Sequence, residues 1–146
     1  MKERHLNIPA SYLVIMKNNK VLLLQRANTG YHDGEYSVIA GHVEKEETFT
    51  DAILREAKEE AGIVLDRNKI KVAHIQHRKS DSDGSERVHT YFVATEWEGE
   101  IKNIESVKCS DLAWFDIDAL PKNMVDCVRF SIENIKNGIF YSEFGW

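Results

Sequence analysis

The sequence predicts an α/β fold in which a mixed sheet is flanked by helices. Three observations lead to this prediction: strand-like apolar segments recur along the chain, one amphipathic helix is expected in the middle, and a second is expected near the end. With 146 residues, the chain has the length of one domain, which we expect to span residues 1–146.

The first part of the chain is predicted to form three strands. Residues 9–16 and 21–25 are mostly apolar, and the polar residues 17–20 between them suit a hairpin turn. A loop with Thr-Gly and Asp-Gly turn signals covers residues 27–35. Residues 36–39 are then predicted to form a short strand.

A central helix is predicted over residues 48–61. Thr48 and Asp51 have the spacing of a capping box, and Gly62 suits a left-handed cap at the other end. At about 100° per residue, one side of the helix is apolar and can pack on a core. That side carries Phe49, Ile53, Ala57 and Ala61.

The second part of the chain repeats the pattern of strands followed by a helix. Strands are predicted over residues 69–76, 87–97 and 112–115. A helical turn is expected at residues 116–120, and the apolar spacing within residues 124–137 predicts an amphipathic helix. The aromatic tail at 141–146 is expected to dock either on this domain or on the partner subunit of a homodimer.

Composition excludes several classes of protein. The net charge of −5 argues against binding to nucleic-acid polymers, because no basic stripe is available to replace phosphate counterions. The chain shows no signal-peptide layout and no apolar run of about 18 residues, so we expect a cytoplasmic protein that does not enter the membrane. Cys109 and Cys127 lack metal-ligand spacing and are expected to be buried, reduced thiols.

The central helix also carries an acidic face. Glu56, Glu59 and Glu60 are placed together by their i, i+3 and i+4 spacing. Their mutual repulsion would become coordination if a hard divalent cation such as Mg²⁺ or Mn²⁺ bound there. On spacing alone, a solvated acidic face is the alternative interpretation.

The residues around this face decide between the two interpretations. Residues 41–63 read GHVEKEETFTDAILREAKEEAGI and resemble the Nudix box, G-x5-E-x7-R-E-U-x-E-E-x-G-U, where U is a bulky aliphatic residue. Two departures are Ala57 at the first U position and Ile39-Ala40-Gly41 in place of the usual Pro-Gly-Gly. The resemblance covers about residues 8–135 and implies the α/β/α sandwich of Nudix hydrolases.

The resemblance also implies a chemistry, namely Mg²⁺-dependent attack of water on a phosphorus of a pyrophosphate, with Mn²⁺ able to substitute. It implies that Arg55 orients Glu47 or another box carboxylate, and that Glu56 is either a metal ligand or the general base. The implied metal ligands are Glu59, Glu60, Glu56 and the Gly41 carbonyl.

The family usually supplies a further carboxylate from outside the box. Counting eight residues beyond Trp97, as in MutT-like members, leads to Glu105 as a catalytic or metal-binding candidate. Glu86 is the alternative. For either residue, a solvated loop acid is the simpler interpretation.

The substrate class is predicted from weaker signals. The chain lacks the proline and the tyrosine that follow the box in ADP-ribose hydrolases and dinucleoside-polyphosphate hydrolases respectively, which disfavours both subclasses. Residues 103–109 and 120–123 instead resemble MutT-like enzymes. Asn123 is expected to read a base edge or to cap the last helix, and Tyr36 to stack on a base or to pack in the core.

These signals lead to one expected activity. We expect hydrolysis of a nucleoside triphosphate, including oxidised or noncanonical ones, to the monophosphate and pyrophosphate. The alternatives are hydrolysis of a nucleoside diphosphate sugar or another linked nucleoside diphosphate, and a Nudix nucleotide sensor without turnover.

Overall fold

A computed structural model describes residues 2–146. Across these residues, eight strands form one mixed sheet, and two helices pack against it. The strands are β1 (Ile8–Lys17), β2 (Lys20–Arg26), β3 (Tyr36–Ser37), β4 (Ile39–His42), β5 (Lys71–Lys79), β6 (Glu86–Ala94), β7 (Cys109–Asp116) and β8 (Tyr141–Phe144). The helices are α1 (Phe49–Ala61) and α2 (Asp126–Lys136).

Strand β1 lies at the centre of the sheet. It pairs antiparallel with β4 and parallel with β6, and its end continues through a hairpin into β2. Asn18 and Asn19 form the hairpin turn with positive φ angles of 51° and 61°, which asparagine tolerates better than most residues. The strand order is β3-β2-β1-β6-β5-β8, with β7 paired to β2.

The two faces of the sheet carry separate cores. Leu13 and Ile15 of β1 point to the core that contains the buried face of α1, whereas Val14 points to the core under α2. Such alternation is what a strand buried on both faces requires. The predicted α/β/α sandwich is therefore confirmed.

The ends of α1 are those that the sequence predicts. Thr48 is the N-cap, its side chain accepts from the Asp51 backbone N–H at 3.0 Å, and the Thr48 N–H donates back to the Asp51 carboxylate at 3.2 Å. Gly62 ends the helix in the left-handed region with φ of 68°. These caps fix the point at which the acidic face of the helix begins and ends.

Several predicted boundaries were wrong. The strand expected at 36–39 is two short strands that pair with different partners. Asp116 ends β7, and the residues after it turn without forming a helix. Helix α2 begins at Asp126 with Val125 as its N-cap, so Asn123 is not the cap. The cause is that the backbone of Asn123 accepts a hydrogen bond from Tyr36 N–H, which holds residues 123–125 in an extended conformation.

The aromatic tail packs on its own chain. Strand β8 pairs parallel with β5, and Trp146 Nε1 donates to the His77 carbonyl at 2.9 Å. A homodimer stays a prediction. Cys109 and Cys127 are buried free thiols, as expected. Neither helix within residues 2–146 has the length and apolar content needed to cross a membrane.

Candidate active site

The acidic face of α1 opens into a cavity of about 570 Å³. Five glutamates line it, of which three come from α1 and one, Glu105, comes from the loop between β6 and β7. The α1 members are Glu56, Glu59 and Glu60. The other lining residues are Leu24, Arg26, Asn28, Thr29, Ala40, Glu44, Arg55, Lys108, Cys109 and Leu112.

Arg55 is the main cation on this face of α1. Its Nε and Nη2 donate to the two carboxylate oxygens of Glu47 at 2.8 and 3.0 Å, which is the two-pronged pairing expected of an orienting arginine. Its Nη1 also donates to Glu56 at 2.6 Å and approaches Glu59 at 3.4 Å. The hydrogen bonds from Arg55 and the Glu44 backbone lower the pKa of Glu47.

The pKa of Glu60 is shifted in the opposite direction to that of Glu47. Loss of solvent around this half-buried side chain, followed by repulsion from Glu56 and Glu105, raises its pKa to about 8. Among residues 2–146, only the backbone N–H of Ala40, at 3.2 Å, donates to its carboxylate. Burial also raises the pKa of Glu56, although Arg55 opposes that shift. The cavity therefore holds more negative charge than its protein groups neutralise.

Gly41 gives Glu56 the space that it occupies. A Cβ atom at position 41 would lie 2.1 Å from Glu56 Oε1, well inside van der Waals contact. Gly41 lies in β4 opposite Ser11 of β1. The box glycine therefore places one sheet strand directly beside a carboxylate of α1.

The donor atoms suit a hard divalent cation. Carboxylate oxygens are the ligands that Mg²⁺ and Mn²⁺ prefer, and the raised pKa of Glu60 shows that its charge is under-compensated. Within residues 2–146, however, no three acidic, histidine or cysteine side chains converge as a closed metal cluster. Arg55 lies among the acids instead, bonded to Glu56 and close to Glu59.

The structure separates the two candidates for the outside carboxylate. Glu105 lines the cavity and contributes to the raised pKa of Glu56 and of Glu60. Glu86 begins β6 and pairs with His5 instead. Only Glu105 is brought to the glutamates of α1.

A second cavity, of about 410 Å³, adjoins the first. Arg26 and Ala40 line both cavities. The remaining lining residues of the second cavity are Ala10, Tyr12, Tyr31, Gly41, His42, Ser82, Asp83 and Arg87. This second cavity contains tyrosine rings and arginines. The first cavity contains carboxylates and, besides Arg55 of α1, the cations Arg26 and Lys108.

Tyr36 and Asn123, the predicted substrate-binding residues, line neither cavity. The Tyr36 hydroxyl donates to Asp111 at 2.5 Å, and the Asn123 amide donates to the Gly34 carbonyl at 2.9 Å. Tyr91 and Phe92 are buried in the two cores. Sequence reasoning missed Arg26, Lys108 and Arg87, of which only Arg26 gave a signal, as a charge that ends an apolar strand.

This chain is similar in sequence to known proteins. The family model described as NUDIX domain matches residues 7–131. An NAD-capped RNA hydrolase NudC from Chromobacterium violaceum is 33% identical over 115 residues, which cover 78% of this chain and 40% of that protein. An ADP-ribose pyrophosphatase from Methanocaldococcus jannaschii is 33% identical over 116 residues, which cover 77% of this chain and 64% of that one. The chain thus spans less than two thirds of the length of these curated relatives.

Solved structures show the same fold. A MutT NUDIX hydrolase from Burkholderia pseudomallei superposes with a TM-score of 0.81 at 23% identity, covering 88% of this chain and 98% of that one. A MutT/nudix family protein from Enterococcus faecalis superposes with a TM-score of 0.68 at 25% identity, covering 80% and 46% respectively.

Proposed function

This chain belongs to the Nudix family of hydrolases, and we propose that it cleaves the pyrophosphate linkage of a nucleotide with a divalent cation held by the glutamates of α1. The observation that carries the proposal is the convergence of Glu56, Glu59, Glu60 and Glu105 on one cavity. The raised pKa of Glu60 supports it, because such a charge requires a cation to stay ionised at neutral pH.

Glu59 and Glu60 would be the principal ligands of Mg²⁺ or Mn²⁺, with Glu56 and the Gly41 carbonyl available beside them. The bound ion would neutralise phosphate oxygens and lower the pKa of the attacking water. For the glutamates to bind it, Arg55 would release Glu56 and Glu59 while its two bonds to Glu47 keep the guanidinium in place.

The remaining groups of the cavity have roles in binding and proton transfer. Arg26 and Lys108 would contact the phosphates, because they are the other cations that line the same space. Glu56 or Glu105 would accept the proton of the attacking water. Both are carboxylates of this cavity, so either can lie within reach of a bound phosphate.

A nucleoside diphosphate linked to a second group is the substrate class that we favour. Relatives at 33% identity are named for activity on NAD-capped RNA and ADP-ribose. In addition, Asn123, one of the residues that supported the triphosphate prediction, lies outside both cavities. The missing proline after the box disfavours ADP-ribose itself and leaves other linked diphosphates.

A nucleoside triphosphate is the second candidate. It is favoured by the resemblance of residues 103–109 and 120–123 to MutT-like enzymes. Its products would be a nucleoside monophosphate and pyrophosphate, so the two classes differ in a product that chromatography resolves.

The test is a substrate panel with purified protein, Mg²⁺ and an EDTA control. It contains linked diphosphates, dinucleoside polyphosphates, and canonical and oxidised triphosphates. Mg²⁺-dependent cleavage of linked diphosphates supports the favoured class, and pyrophosphate release from triphosphates supports the second. Tight nucleotide binding without any turnover would mean that the protein is a sensor and that the proposed activity is wrong.

A further inference from the structure

The second cavity adjoins the cavity that the glutamates of α1 line. The two share Arg26 and Ala40, and Gly41, which borders Glu56, lines the second one. A substrate with its pyrophosphate at the glutamates would therefore place its other end beside Tyr12, Tyr31 and Arg87. The chemistry of that end can be inferred from the charges there.

Arg87, which lines this cavity, has a second arginine, Arg78, beside it on β5. Arg78 of β5 and Arg87 of β6 are direct partners in the antiparallel ladder, so their side chains leave the same face of the sheet. Partners of this kind have Cβ atoms about 5 Å apart, and like charges at that distance are destabilising. An arrangement of this kind calls for a compensating anion.

Arg78 receives no such compensation from the protein. The residue is only 4% exposed, and its Nη2 donates to the Tyr31 hydroxyl at 2.9 Å. Its Nε is buried and has no hydrogen-bond acceptor, and no carboxylate within residues 2–146 forms an ion pair with it. Arg78 therefore has Tyr31 as a polar partner but keeps one buried donor without an acceptor, which is costly.

Arg87 is only weakly compensated. Its Nη2 lies 3.5 Å from the carboxylate of Asp83, whose side chain is 56% exposed. An ion pair at that distance with an exposed carboxylate contributes little, so another anion can replace Asp83. Arg87 lines the cavity directly, whereas Arg78 acts on it through Tyr31.

His89 lies close to the same two arginines. It lies two residues beyond Arg87 on the same face of β6 and is fully buried. Burial first, and then the charges of Arg78 and Arg87, lower its pKa to about 3. His89 therefore stays neutral and adds no charge of its own at physiological pH.

We propose that Arg87, supported by Arg78 through Tyr31, binds a second phosphate group of the substrate, distinct from the pyrophosphate that is cleaved. A phosphate monoester carries roughly −1.5 to −2 at pH 7, which matches two guanidinium groups, and arginine can bind it with two hydrogen bonds. The proposal rests on the proposed function. It narrows the substrate to a linked nucleoside diphosphate that carries a further phosphate, for example on a ribose.

Calorimetric binding of product-like nucleotides tests the proposal without turnover. The probes are AMP, adenosine 2′,5′-bisphosphate and adenosine 3′,5′-bisphosphate, titrated in EDTA so that no cation bridges phosphate to the glutamates. We expect one bisphosphate to bind about tenfold more tightly than AMP, as one added charge-assisted contact would give. In Arg87→Gln that preference should fall below about threefold.

Two further variants complete the design. Arg67→Gln removes an equal charge at an exposed pair with Asp51 and should keep the preference. Arg78→Lys keeps the buried charge but loses the guanidinium that contacts Tyr31, and should give an intermediate preference. Circular dichroism checks that each variant folds.

Three results would overturn the proposal: equal affinity for AMP and both bisphosphates, a preference that survives Arg87→Gln, or no binding of any of the three. The substrate panel separates this outcome from failure of the proposed function. Hydrolysis without a bisphosphate preference would reject only the second phosphate site. A bisphosphate preference without hydrolysis would reject only the enzymatic activity.

Discussion

The guanidinium of Arg55 donates two hydrogen bonds to the carboxylate of Glu47, from Nε at 2.8 Å and from Nη2 at 3.0 Å. Glu47 lies in the loop before α1, and Arg55 lies in the second turn of that helix. The pair therefore holds the loop against the helix. The same guanidinium reaches Glu56 through Nη1, so the position of a cavity carboxylate depends on this contact.

Arg55→Lys should lower kcat at least about tenfold, because an ammonium is a point charge and cannot donate to both oxygens of Glu47 in a fixed plane. The melting temperature should change little, since the pair is partly exposed. Steady-state kinetics on the substrate found by the panel measures the effect. Arg67→Lys, at an exposed ion pair, is the matched control, and equal activity of the two variants would contradict the orienting role of Arg55.

Glu59→Gln should lower kcat more than about a hundredfold while the fold survives, as loss of a charged metal ligand would. The fold is expected to tolerate the change because the Glu59 side chain is 50% exposed. Kinetics at saturating Mg²⁺ and circular dichroism measure the two quantities. Near-normal turnover would mean that Glu59 is not part of the proposed metal site.

The general base can be assigned by comparing Glu56→Gln with Glu105→Gln. We expect the larger loss of kcat for Glu56→Gln, because Glu56 is held by Arg55 beside the other α1 glutamates, whereas Glu105 comes from a loop. The pH dependence of kcat should also lose its acidic limb in the variant that lacks the base. The reverse order of losses would exchange the two roles.

The raised pKa of Glu60 predicts how the stability of the metal-free protein depends on pH. The folded state keeps a proton that the unfolded chain releases between the ordinary pKa of 4.5 and about 8, so stability falls as pH rises through that range. In EDTA, the melting temperature should be lower at pH 8.5 than at pH 6.5. Glu60→Gln should weaken this dependence.

Two comparisons control the experiment on Glu60. Glu100→Gln, in an exposed loop, should leave the pH dependence unchanged. Saturating Mg²⁺ should reduce it in the unsubstituted protein, because a cation stabilises the ionised carboxylate. A melting temperature that rises between pH 6.5 and pH 8.5 would contradict the shift in Glu60.

Gly145→Ala should destabilise the protein more than Gly138→Ala does. Both glycines have positive φ, of 86° and 70°, so each substitution costs about 1–2 kcal/mol from backbone strain alone. A Cβ at position 145 would additionally lie 2.2 Å from the Lys79 carbonyl oxygen, whereas position 138 faces open space. Urea unfolding of both variants measures the difference, and equal losses of stability would mean that the tail does not press on β5 in solution.

The central helix and its acidic face could be predicted because their signals are local. Capping residues lie three positions apart, and the spacing of Glu56, Glu59 and Glu60 sets their direction on a helix without reference to the rest of the chain. The pairing of Arg55 with Glu47 came from the family pattern and agrees with the observed contact.

Features that depend on the register of the strands could not be predicted from the sequence. A bulge between Val72 and His74 shifts the pairing of β5 with β6, and the shift is what makes Arg78 and Arg87 partners. Strand β8 is four residues long, with little alternation to reveal it, and its partner β5 is about 65 residues away. Asn123 was misplaced because its backbone pairing with Tyr36 outweighs the preference of asparagine for a helix N-cap.

Strand β1 has a consequence for how the molecule unfolds. Its alternate residues belong to the cores on both sides of the sheet, so neither core can open while the other keeps its full set of contacts. The two cores should therefore unfold in a single thermal transition, and the backbone amides of β1 should be among the last to exchange with solvent. Substrate bound at either cavity would then raise the resistance of the whole sheet to heat and proteolysis.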